Sequence, residues 1–150
     1  MFKLFSVQPK VNKSKKRELV VKKKKKKGKV MVLLHFAEWC ENSQTMQVFF
    51  EHLKNRFDGK EVLFVRLDFT NKTAQYQTEL LAIALRVDEV VNRFSDTGFI
   101  VLIDQESGQP FARLTSKVHF SEMVVTIQNH LEMLKDDEKK VEEVLKTKMK

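Results

Sequence analysis

A second cysteine is missing from this chain. Cys40 stands alone among 150 residues, so no disulfide can close within it. A lone thiol fits an intracellular, reducing compartment, with the cytoplasm ahead of an organelle or the nucleus. Proline is nearly absent: Pro9 and Pro110 are the only two, and the long stretch between them has none. No apolar run reaches the roughly 20 residues needed to span a bilayer, and no signal-peptide core follows the N-terminus. His35, His52, His119 and His130 fall on different segments without paired ligand spacing. That predicts neither a metal centre nor a cofactor, and each histidine reads as a core or surface residue.

Positive charge is plentiful but confined. Residues 1–30 hold thirteen Lys and Arg against one acid, Glu18, for a net +12. Of the totals of 28 and 20, that leaves 15 basic and 19 acidic residues for the rest, a net −4. The basic pI therefore belongs to a tail, and nucleic-acid binding by the folded body is not indicated. Residues 1–29, with the run Lys22 to Lys27, read as a disordered tail, in which Glu18 to Val21 can form at most a short edge strand. The lysine run suits an anionic partner: nucleic acid, a membrane surface or an acidic protein.

What the chain does have is one apolar stretch around which the rest is organised. Val30 to Phe36 is apolar except for His35, the pattern of a strand buried on both faces. A short polar segment follows, then Met46, Phe49, Phe50, Leu53 and Phe57 at helical spacing. Cys40 thus sits where a central strand hands over to a helix, beside unpaired N–H groups and the positive end of the helix dipole.

Beyond this unit, a helix over about Asn42 to Phe57 closes at Asp58-Gly59, and Glu61 to Asp68 reads as a second buried strand. Ala74 to about Arg86 and Asp88 to Phe94 are predicted as two helices with Leu80, Leu81, Ala84, Leu85, Val87, Val90, Val91 and Phe94 as the apolar stripe. Phe99 to Ile103 is the third apolar strand. Gln105 to Gln109 turns the chain into an edge strand starting at Pro110, where the missing N–H does least harm. A last helix from about Ser121 packs through Phe120, Val124, Ile127, Leu131 and Leu134, and residues 136–150 leave as a charged helical extension. The order is β-α-β-α-β-β-α, with residues 30–135 as the domain and Val30–Phe36 between the other two apolar strands.

Phe36-Ala37-Glu38-Trp39-Cys40 resembles the signature of the thioredoxin-like superfamily, in which an apolar strand runs into Ala-x-Trp-Cys-x-x-Cys. The resemblance covers about Val30 to Leu134 and implies an α/β, three-layer α/β/α fold with a mixed sheet of four to five strands. It makes Cys40 the candidate nucleophile and puts Ser43 at the position of the resolving cysteine, a Cys-x-x-Ser motif. It also places Leu34 where the family keeps a buried Asp, and Gly98, or else Phe99, where the family keeps a cis-proline facing the thiol. Together these departures argue against an efficient dithiol oxidoreductase. Two functions are then expected. One is a non-turnover binding or adaptor module that docks a protein client near Trp39, Cys40, Glu41, Asn42, Gly98 and Phe99. The alternative is a monothiol redox protein whose Cys40 exchanges with glutathione or a client cysteine.

Overall fold

Val30–Phe36 forms strand β1, and all seven of its residues are buried. The computed structural model describes residues 28–149. The expectations for Lys22 to Lys27, for the strand over Glu18 to Val21 and for disorder before residue 28 lie outside the described residues. Lys29, placed in the tail by the sequence, belongs to the domain. Its N–H donates to Glu61 O at 2.7 Å, and its Nζ lies 3.3 Å from Glu61 Oε2 and 2.7 Å from Glu138 Oε2.

β1 is central because it is apolar on both faces. β2 (Val62–Asp68) pairs with it in parallel, β3 (Phe99–Asp104) antiparallel, and β4 (Pro110–Thr115) closes the far edge against β3. The sheet order is β2-β1-β3-β4. Alternation along β1 divides the core in two. Val30, Val32, Leu34 and Phe36 face helix α1 (Glu41–Arg56) and helix α4 (Phe120–Lys148), meeting Met46, Phe50, Leu53, Met123 and Ile127. Met31 and Leu33 face α2 (Lys72–Leu85) and α3 (Asp88–Asn92), meeting Ala82, Val87, Val90 and Val91. Helices thus cover both faces of a mixed four-stranded sheet, the three-layer α/β/α arrangement that the resemblance implied.

Two expectations need correction. β2 is not buried on both faces: only Leu67 is fully covered, and Leu63 is 39% exposed. β2 is an edge strand, so one flank has no neighbour to cover it. The apolar stripe of α2 is also misplaced, since Leu80, Leu81 and Ala84 are exposed. The cause is Thr78, whose Oγ1 accepts from Asp68 N at 3.0 Å and donates to Asp68 O at 2.8 Å. That double bond to the end of β2 fixes the helix rotation. Thr78, Ala82 and Leu85, spaced 4 and 3 apart, turn inward and the leucines between them turn out. α2 starts at Lys72, two residues before the predicted Ala74, because Asn71 Oδ1 accepts from Ala74 N at 3.0 Å and caps it.

α4 behaves as its spacing predicts. Phe120, Val124, Ile127, Leu131 and Leu134 are buried or half-buried, and from Lys135 onward the helix is exposed. Its inner end is fastened by His130, whose Nε2 lies 2.8 Å from Asp104 Oδ2 and whose ring stacks on Phe111 with centroids 3.8 Å apart. Asp104 Oδ1 accepts from the N–H groups of Glu106 and Ser107, so one carboxylate joins the β3–β4 turn to the helix.

Candidate functional site

Where β1 ends, the backbone reverses before it can enter a helix. Cys40 N donates to Ala37 O at 3.1 Å, and Ser43 N donates to Cys40 O at 3.0 Å. Cys40 is the N-cap of α1, with extended backbone and no side-chain capping bond. Its thiol lies beside the first-turn N–H groups at the positive end of the helix dipole.

Ser43 is fully buried, and its Oγ accepts from Ala37 N at 3.1 Å. That bond uses the hydroxyl oxygen as acceptor and leaves its proton uncommitted. Burial pushes the Cys40 thiol pKa up. Hydrogen bonds from the Ser43 and Thr97 hydroxyls and the N–H groups of Ser43 and Asn42 outweigh burial, and the net shift is downward. The group at the resolving position therefore supports the thiolate without being able to bond to it.

The loop before Cys40 is held from β2. Glu38 N donates to Thr70 Oγ1 at 3.0 Å and Trp39 Nε1 donates to Thr70 O at 3.1 Å, while Thr70 N donates to Asp68 Oδ1 at 2.9 Å. Trp39 is anchored at its nitrogen yet 69% exposed. The Asp68-x-Thr70 turn was not recognised in the sequence as a support for this loop. Its signal, an Asx turn at the end of a parallel strand, is common to many turns.

Gly98 faces the thiol. A Cβ built on it would lie 2.6 Å from Asn42 Cβ, 3.1 Å from Cys40 Sγ and 3.1 Å from Ser43 N. Its φ is +85°, its N–H donates to His35 O at 2.7 Å, and no peptide bond among the described residues is cis. Gly98 rather than Phe99 occupies the position opposite the cysteine. Phe99 is 1% exposed, and its ring lies in the core against His35 at a centroid distance of 4.5 Å. Glu41 and Asn42 are exposed on the first turn of α1, beside the thiol. Leu34 is fully buried on the face toward α1, so no carboxylate lies at that position of the strand.

His35 alternates to the other face, as the strand pattern requires. It is fully buried, stacked on Phe99 and, at 5.5 Å, on Phe69, and neither ring nitrogen has a partner. Burial, with a lesser effect from the Arg113 charge, lowers its pKa to about 4.

Beside the thiol runs an open groove of about 500 Å³, lined by Trp39, Asn42, Gly98, Arg113, Ser116 and Lys117 among others. Sequence reasoning missed its cationic wall. That wall arises because β4 pairs Thr115 with Phe99, which brings Ser116 and Lys117 next to Gly98. A larger cavity of about 890 Å³ lies at the opposite end of β1, by Met31 and Gly28, far from Cys40. No group of three or more His, Cys, Asp or Glu side chains converges among the described residues. No helix among them is long and apolar enough to cross a membrane.

No family model matches the sequence, and no curated protein matches it. Among solved structures the chain is similar to thioredoxins of three organisms. That of Malassezia sympodialis is 20% identical, with 69% of this chain and 78% of that chain covered and a TM-score of 0.46. That of Fasciola hepatica is 17% identical, with coverages of 78% and 92% and a TM-score of 0.46. The Schistosoma mansoni thioredoxin pre-protein is 16% identical, with coverages of 77% and 90% and a TM-score of 0.45.

Proposed function

We propose that this chain is a thioredoxin-like monothiol protein that captures a client cysteine or glutathione through Cys40. The observation that carries this reading is the place of the thiol: Cys40 caps α1 at the positive end of its dipole, with Gly98 packed so close that a Cβ there would lie 3.1 Å from Sγ, and the thiol pKa is shifted downward. In the reaction, Cys40 Sγ attacks one sulfur of a client or glutathione disulfide. The new S–S bond forms as the old one breaks, the departing thiolate takes a proton from water, and no net oxidation occurs. Ser43 cannot attack the mixed disulfide, so it persists until an external thiol reverses the exchange. Such a cycle suits an intracellular compartment supplied with reduced glutathione. Lys22 to Lys27 would add attraction for an anionic partner at low salt.

The test is the pH dependence of Cys40 alkylation, followed by intact mass after exposure to oxidised glutathione. The thiol should titrate below an unperturbed cysteine and take up one glutathione. An ordinary titration with no adduct would sink the reading. Ser43→Ala should raise the thiol pKa and slow alkylation, because it removes a donor to the sulfur.

The non-turnover adaptor remains as a second reading, supported by Trp39, which presents an exposed ring from a loop tied to Thr70. Pull-downs with wild type and Cys40→Ser distinguish the two. Partners released by reductant and lost in Cys40→Ser indicate capture; partners indifferent to both indicate docking alone.

Neither reading gives Ser43→Cys the activity of an ordinary thioredoxin. A disulfide can form at that spacing, but proton transfer still lacks a carboxylate at Leu34 and client docking still lacks the proline at Gly98. Insulin reduction by Ser43→Cys should remain far below that of a thioredoxin assayed alongside.

A further inference from the structure

The groove beside Cys40 has one wall of unusual charge. Residues 31–150 carry a net −4, yet Arg113 and Lys117 line the groove against a single acid, Asp96. Among the described residues neither cation lies within ion-pair distance of a carboxylate. Arg113 is not merely an unpaired surface charge. Its guanidinium carbon lies 4.0 Å from the centre of the Phe99 ring and 5.5 Å from that of Phe94. Phe99 is itself stacked on buried His35. The guanidinium therefore rests on a platform that belongs to the core, which holds the side chain in place while leaving its N–H fork unmatched. Across the groove, Ser116 Oγ donates to Asn42 Oδ1 at 3.4 Å, which ties the cationic wall to the first turn of the cysteine helix.

We propose that this groove selects client peptides in which the captured cysteine is flanked by Asp or Glu. Carboxylates beside that cysteine pair with Arg113 and Lys117 while its sulfur meets Cys40. This rests on the capture reading above and adds the chemistry of the partner. The groove is open rather than enclosed, running from Trp39 to Lys117, which suits a chain passing through it.

The test uses the full chain and peptides that differ only in having Asp, Asn or Lys on both sides of one cysteine. Each peptide is loaded as a mixed disulfide with nitrothiobenzoate. Attack by Cys40 forms the protein–peptide disulfide and releases the coloured aromatic thiolate, which gives the rate. The Asp peptide should react on the order of tenfold faster than the Asn peptide, and the Lys peptide slowest, with the spread shrinking as salt rises. In Arg113→Gln/Lys117→Gln the Asp-to-Asn ratio should fall most of the way to one, although the basic segment before residue 28 is unchanged. Lys117→Glu alters an exposed turn position without touching the Phe99 platform, and should also lower the ratio. A ratio that survives both changes, or no ranking in the wild type, overturns the proposal. If even the Asn peptide reacts no faster than it does with free cysteine, the capture reading fails. The groove is then judged by equilibrium binding of the reduced Asp peptide to Cys40→Ser. Loss of both cations should weaken that binding on the order of tenfold, and unchanged binding overturns the selection.

Discussion

Lowering the pH from 6.5 to 4 should cost the native state about 3 kcal/mol through a single side chain, His35, whose pKa falls from 6.5 to about 4 on folding. The sign follows from where the protons go. In the unfolded chain His35 ionises as pH drops below 6.5, whereas in the native core it stays neutral, because burial opposes the charge and no partner stabilises it. Over that interval the unfolded state binds more protons. Stability is full above about 6.5, falls as pH falls, and levels off below about 4, where the native imidazole also ionises. Asp104 does not interfere. Its own burial raises its pKa, but bonds from Ser107 and His130 outweigh this and hold it below 3.8, so its contribution is lost only at still lower pH. Urea unfolding at pH 7 and pH 4.5 measures the loss. His35→Phe should remove most of it and raise stability at pH 7, because the new ring fits the stack of Phe69 and Phe99 without two unpartnered nitrogens. An acid loss that survives in His35→Phe would assign it elsewhere.

Gly98→Ala is the second substitution with a large expected effect. A left-handed backbone at φ +85° costs a residue with a Cβ about 1–2 kcal/mol, and the crowding against Asn42 and Cys40 adds about 1–3 kcal/mol. Gly59→Ala supplies the control. Its φ is +71° but no atom lies within 4 Å of the added Cβ, so it should show the backbone cost alone. The excess of Gly98→Ala over Gly59→Ala in urea unfolding measures how tightly the loop is packed on the thiol; equal losses would show that the contact is soft. Gly98→Pro should be worse still. The ring requires φ near −65° and deletes the N–H that reaches His35 O at 2.7 Å.

Much of this architecture was legible because β1 is apolar throughout, which only a central strand tolerates, and because the apolar runs on either side have strand length. Cys40 at the start of α1 followed from the strand-to-helix pattern, and Gly98 opposite it was what the family resemblance implied. What escaped depends on partners remote in sequence. Hydrophobicity alone suggested that Leu80 and Leu81 point inward, but Thr78 bonding to Asp68 sets the rotation of α2 and turns them out. Periodicity said that His35 leaves the face of Leu34, yet nothing in the chain announced that its ring nitrogens would go unpaired among phenylalanines. Nothing in the sequence singled out Arg113 and Lys117; the β3–β4 pairing carries Lys117 past Phe99 toward Gly98 and lays Arg113 over the Phe99 ring.

The ion pair between Lys29 and Glu138, 2.7 Å long, pins the chain just before β1 to the point where α4 leaves the sheet on its way to Lys148. Lys29 precedes the seven residues of β1 and Cys40 follows them, so the ion pair and the thiol are separated by a strand length of about 23 Å. A domain whose entrance and exit are neighbours can be spliced into a surface loop of a host protein without stretching either. Here the splice junctions would both fall at one pole, and Cys40 at the other would face away from the host.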